Sequence, residues 1–199
     1  MKIHLRDINS SLVNAWRQQF KLRTEVSVSE GEIFDAGPHQ AIVSPANSFG
    51  FMDGGIDLVY SQRFGWDLQG RLKDEINGRY GGELPVGSAT IVETGDPDFP
   101  WLISAPTMRV PETVANTVNA YLAFRAALLA VHRHNKVHPS PIESVLCPGL
   151  GTAVGRMPES RCAYQMHAAL LAAAGELSEI PAPVILGQAS KLHFSMLTA

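Results

Sequence analysis

Cysteine is scarce in this sequence. Cys147 and Cys162 are its two, too few for a disulfide framework, and both read as buried thiols. Charge is sparse too, at 18% of 199 residues, and the net charge of −3 argues against a broad phosphate-tracking surface. No window approaches the roughly 18 apolar residues of a membrane helix. The segment Met1 to Asp7 lacks the apolar stretch of a secretory leader. There is no internal repeat, low-complexity tract or linker. The expectation is one domain over 1–199 in the cytoplasm, with no membrane and no strong nucleic-acid signal. What is present is 45% hydrophobic residues, enough for a full core. An anionic ligand must then be held mainly by backbone N–H groups and helix ends, not by a carpet of Lys and Arg.

Periodicity alternates between strand and helix. Ile3 to Ile8 reads as a strand. Asn9 or Ser10 caps a helix with Leu12, Val13, Trp16 and Phe20 on one face. Strands are expected at Glu25 to Val28, Ala41 to Val43, Gly87 to Val92, Trp101 to Ser104 and Glu143 to Cys147. Leu68, Leu72 and Ile76 recur at helical spacing. Thr113 to about His134 forms the strongest helical pattern, and Met166, Leu170 and Ala173 mark another. Val184-Ile185-Leu186 suggests a last strand. Alternation of this kind implies a mixed or largely parallel sheet covered on both faces, with ligands bound outside the carboxyl ends of the strands.

Two glycine-rich loops leave strand ends and precede helices. The first runs from Ser44 through Ala46, Asn47, Phe49, Phe51 and Asp53 to Gly54-Gly55-Ile56-Asp57. Its glycines permit close backbone approach, and Asn47 offers both a donor and an acceptor to a sugar hydroxyl. Asp57 has two readings, a helix-capping carboxylate or a base aimed at a cavity. Asp53 is a turn residue or a second carboxylate, and Phe49 or Phe51 is an aromatic wall or core. The second loop, Pro148-Gly149-Leu150-Gly151-Thr152-Ala153-Val154-Gly155-Arg156, can turn successive N–H groups toward a diphosphate ahead of a helix. It matches neither the P-loop nor the dinucleotide fingerprint. Arg156 reaches a phosphate or is solvated, and Arg109 borders the same region. His132, His134 and His138 lack ligand spacing, so no metal or other cofactor is expected.

Together these segments resemble the macro domain family over roughly 25–174. Val43-Ser44-Pro45-Ala46-Asn47-Ser48 is similar to the family's Val-Asn-Ala-Ala-Asn-Ser, and Gly54-Gly55-Ile56-Asp57 to its Gly-Gly-Val-Asp. Gly31-Glu32-Ile33 is similar to its Gly-Asp-Ile, and Leu84-Pro85-Val86-Gly87-Ser88-Ala89 to its Cys-Pro-x-Gly-x-Ala. Leu150 to Val154 falls where the family carries its diphosphate loop. The resemblance implies a three-layer α/β/α fold with a mixed central sheet, binding ADP-ribose or a mono-ADP-ribosylated macromolecule. It implies that Glu32, with Ile33, meets adenine, that Asn47 holds the distal ribose, and that second-loop amides hold the diphosphate. It also implies that Asn47 and Asp57 assist attack of water at the distal ribose. Ser44 and Pro45 stand where the family has Asn-Ala. Gly155 and Arg156 stand where many members place an aromatic. Two functions remain open at this point, an ADP-ribosyl hydrolase and a non-catalytic reader or scavenger. A pocket with a different nucleotide-related ligand is a third.

Overall fold

A computed structural model describes residues 1–175 and 182–199. The described residues build a six-stranded sheet from β1 (Lys2–Asp7), β2 (Val26–Glu30), β3 (Ala41–Ser44), β4 (Thr90–Glu93), β5 (Trp101–Ser104) and β6 (Ser144–Cys147). The order across the sheet is β2-β1-β6-β3-β5-β4. All neighbours are parallel except β4, which runs antiparallel to β5 at one edge.

Alternation along the strands sends side chains to two separate cores. Ile3, Leu5, Val43, Ile103 and Val145 face α1 (Ser10–Gln19), α4 (Asn119–Val137) and α5 (Glu159–Ala173). Ile42, Val92, Leu102 and Leu146 face α2 (Gly55–Phe64) and α3 (Asp67–Tyr80). All four residues of β3 are buried, as a strand covered on both faces must be. The result is the expected three-layer α/β/α arrangement with a mixed sheet.

Local chemistry sets several boundaries. Asn9 caps α1 by accepting from the N–H groups of Ser11 (3.0 Å) and Leu12 (3.3 Å). This brings Leu12, Val13 and Trp16 onto the buried face. Trp16 donates its indole N–H to the Met166 sulfur at 3.3 Å, tying α1 to α5. Helix α3 stops at Gly81, which takes a left-handed φ of 65°.

Three expectations need correction. The helix expected from Thr113 begins at Asn119, because the Val114 N–H donates instead to Gly155 O at 2.7 Å. A turn from the Thr117 N–H to Val114 O (3.1 Å) then leads into the helix. The strand expected from Gly87 begins at Thr90, after a turn in which Ser88 N–H meets Pro85 O at 2.9 Å. Val184, Ile185 and Leu186 lie in α6 (Ala182–Thr198), not in a strand. A short apolar run fits either period, and length decides for helix here.

The N-terminal strand is no appendage. β1 sits inside the sheet, paired with β6 in the register Ile3 to Val145 and Leu5 to Cys147. Its C-terminal end, Asp7, therefore opens beside the second glycine loop.

Candidate ligand-binding cleft

The carboxyl ends of β1, β3 and β6 converge on a cavity of about 420 Å³, within the roughly 300–1,000 Å³ of small-molecule sites. From the first loop, Pro45, Ala46, Asn47, Phe51, Asp53, Gly54, Gly55, Ile56 and Asp57 line it. From the second come Pro148, Gly149, Gly151, Thr152, Ala153, Val154 and Gly155. Asp7, Ile8 and Asn9 close one wall, and Thr107, Met108 and Pro111 another. Among the described residues, no Lys, Arg or His lines it.

The second loop offers a row of free donors. The backbone N–H groups of Gly151, Thr152, Ala153, Val154 and Gly155 donate to no acceptor in the described protein, while Arg156 and Met157 close the loop back onto Ala153 O (3.0 Å) and Gly151 O (2.9 Å). Unpaired amides ahead of α5 form an anion nest. Glycine is required at two points of it. Gly151 takes φ of 72°, and a Cβ at Gly155 would stand 2.5 Å from Gly151 O and 2.6 Å from Val114. Val114 is thus the buttress behind the nest. Opposite, the first-turn N–H groups of Gly55, Ile56 and Asp57 are the donors that every helix N-terminus leaves unpaired.

Asp57 lies in the first turn of α2, beyond the Gly54 cap, and is 6% exposed. The Ser44 hydroxyl donates to its Oδ1. Burial pushes its pKa up to about 7, partly opposed by the Ser44 hydrogen bond. Its carboxylate caps nothing; it is a buried group on the cleft wall. Asn47 is committed elsewhere: its Oδ1 accepts from the N–H groups of Phe49 (3.0 Å) and Phe51 (3.3 Å), and its Nδ2 donates to Phe51 O (3.0 Å). Both acceptor positions are spent on its own loop, leaving one amide hydrogen for a ligand. The loop is braced from outside by Thr107, which bonds Pro45 O (2.9 Å) through its hydroxyl and Ala46 O (3.2 Å) through its N–H.

Glu32 and Ile33 do not reach this cavity. Glu32 is exposed and uses its carbonyl to accept from Arg6 Nε at 2.7 Å, and Ile33 is buried in the core under α2. They follow β2, the sheet edge, whereas β1 neighbours β6. Asp7, from the end of β1, lines the cavity instead. Its carboxylate accepts from the Gly149 N–H (3.0 Å) and the Asn9 N–H (2.9 Å), fixing the second loop to the end of β1. The Asp7-Ile8 pair at a strand end is the one local feature that could have marked this wall. Arg156 also falls outside the wall. It is exposed, with φ of 52° in the turn that leaves the nest. Arg109 is held away by a two-pronged bond to Glu83 (2.7 and 3.0 Å). Of the aromatics, Phe51 lines the cleft, with Lys73 Nζ 3.7 Å above its ring centre, and Phe49 does not.

Cys147 and Cys162 are buried, free and raised in pKa by burial, the second to about 12, so neither is a ready nucleophile. His134 and His138 stack on each other and against Trp101, at the opposite ends of the strands. No cluster of three potential metal ligands occurs among the described residues.

A mixed sheet between helical layers, with a loop of unpaired amides and a buried carboxylate lining one cavity at its strand ends, defines an α/β module with a candidate ligand cleft. The chain belongs to the macro domain family, whose model matches residues 43–166. An uncharacterized protein of Aquifex aeolicus (strain VF5) is 32% identical over 143 residues, covering 71% of this chain and 78% of that protein. An Oceanobacillus iheyensis macrodomain variant solved with ADPR has a TM-score of 0.55 at 20% identity, over 67% of this chain and 69% of that one. The macrodomain of Mycobacterium tuberculosis DarG gives 0.55 at 22% identity, over 76% of this chain and 91% of that one. No helix among the described residues is long and apolar enough to cross a membrane.

Proposed function

We propose that this macro domain binds ADP-ribose in the cleft and hydrolyses a mono-ADP-ribosyl linkage at the distal ribose. The observation that carries the reading is the juxtaposition of a row of free amides with one buried carboxylate in a single cavity. The amides of 151–155 take the diphosphate. Asp7 and the Ile8 backbone, not Glu32, meet the adenine edge, and Asp57 faces the distal ribose. Water attacks the anomeric carbon while Asp57 takes its proton. The bond to the acceptor breaks, and the departing group leaves with the electron pair and is then protonated. The macrodomain solved with ADPR supports the ligand. We place the activity in the cytoplasm, a reading supported by two free, buried thiols.

Calorimetry with ADP-ribose tests binding, on wild type and on Gly54→Glu. Gly54 lines the cleft at φ −146°, and a Cβ there meets nothing within 4 Å, so this substitution blocks the site without straining the fold. Micromolar binding lost in Gly54→Glu supports the cleft, and no binding by wild type removes the central claim. Turnover of mono-ADP-ribosylated protein should fall by about 10²-fold or more in Asp57→Ala. The engagement of Asn47 within its own loop favours the second reading, a reader without turnover. Equal, negligible hydrolysis by wild type and Asp57→Ala, with binding intact, decides for it.

A further inference from the structure

The residue behind Asp57 stands where the family motif quoted above has Asn, and it makes a contact that the cleft wall alone does not explain. Ser44 is the last residue of β3 and is fully buried. It does not line the cavity, yet its hydroxyl donates to Asp57 Oδ1. We infer that Ser44 is the positioning residue for Asp57, holding one carboxylate oxygen inward so that the other faces the cleft. The inference rests on the hydrolase reading for its consequence, but the contact is defined without it.

Three observations point the same way. Ser44 is the single hydrogen-bond partner of the Asp57 side chain among the described residues. Ser104 lies directly across from Ser44 in the β3–β5 register, and its buried hydroxyl has no partner. A hydroxyl has one proton to donate, and Ser44 gives it to Asp57, while Ser104 goes unsatisfied. Tyr60, one turn further along α2, packs in the same core but donates its hydroxyl to Val43 O at 3.1 Å, so it does not compete for the carboxylate.

The electrostatic setting makes that one bond decisive. The titratable groups that share the cleft with Asp57 are Asp53 from the preceding loop and Asp7 from the end of β1, and Tyr60 on its own helix feels its charge. Among the described residues no cation lines the cleft to steady the charged form. Burial favours the neutral acid and the Ser44 hydrogen bond favours the carboxylate. Removing the hydroxyl therefore leaves a carboxyl that is harder to ionise and free to rotate.

The test is a ¹³C NMR titration of the Asp57 carboxyl in wild type, Ser44→Ala and Ser44→Thr, run beside calorimetry with ADP-ribose. In Ser44→Ala the midpoint should rise by about one pH unit or more, and the acid limb of the pH–rate profile should rise with it. Ser44→Thr, which keeps the hydroxyl, should restore both. ADP-ribose binding retained in calorimetry shows that the cleft of each variant is still folded. An unchanged midpoint in folded Ser44→Ala overturns the inference. Absence of turnover in wild type removes the hydrolase reading instead, while the titration still decides the role of Ser44.

Discussion

Asp57→Asn should change how stability responds to pH, with a sign and size that follow from burial. Burial pushes the folded carboxyl up to about 7, against an ordinary carboxylate value of 3.8. Between those values the folded state holds the proton more tightly than the unfolded state, so unfolding free energy falls as pH rises. The contribution is fully present below about pH 4, declines through the window, and is gone above about pH 7. A gap of roughly three units at 1.36 kcal/mol each is roughly 4 kcal/mol in all, of which roughly 2–3 kcal/mol falls between about pH 5 and pH 8. Asn cannot ionise, and its Oδ1 still accepts from Ser44, although its amide hydrogens then need partners at a cost of roughly 1–3 kcal/mol. That cost does not depend on pH. Urea unfolding of both proteins at about pH 5 and pH 8 cancels every other titrating group. The variant should gain roughly 2–3 kcal/mol relative to wild type at the higher pH. A difference between the two proteins that stays constant across that range refutes the argument and returns Asp57 to an ordinary solvated carboxylate.

Other perturbations separate the two walls. Asp7→Ala removes the acceptor of the Gly149 and Asn9 N–H groups, and should cost roughly 1–3 kcal/mol in stability by urea unfolding and weaken ADP-ribose at least tenfold by calorimetry. Glu32→Ala and Arg156→Ala, both outside the cleft, should leave that affinity within about twofold. Trp16→Ala, at a fully buried position, should lower unfolding free energy by roughly 3–5 kcal/mol, with binding retained at low temperature.

Strand–helix alternation and the two glycine loops were legible because each is local. Apolar runs such as Ala41 to Val43 and the Gly149 to Gly155 stretch announce themselves without a partner. What was not legible depends on adjacency between distant segments. Nothing in Ile3 to Asp7 states that it will lie beside Val145, so Asp7, Ile8 and Asn9 go unnoticed as cleft lining, while Glu32 and Ile33, expected at the ligand, follow the edge strand. The start of α4 was misplaced for a related reason: Val114 has helical periodicity but is claimed by Gly155, which only the folded loop brings near. Asn47 lines the cavity but bonds within its own loop, because a side-chain amide can serve its own backbone as readily as a sugar. The Ser44 contact could not be read at all, since it needs α2 laid across the end of β3.

A cleft walled without a single cation among the described residues has a consequence for how its ligand arrives. Attraction at long range comes from net charge, which mobile ions screen beyond a Debye length of about 8–10 Å in ordinary buffers. Here the favourable groups are amide dipoles, felt only on contact, while the chain as a whole carries −3. An anionic ligand is therefore not steered in, and it releases no counterions from basic side chains on entry. Its capture should proceed at a rate set by diffusion and fit, and its affinity should be nearly level from dilute buffer to high salt. Such a protein samples its ligand by concentration alone, indifferent to the ionic strength around it.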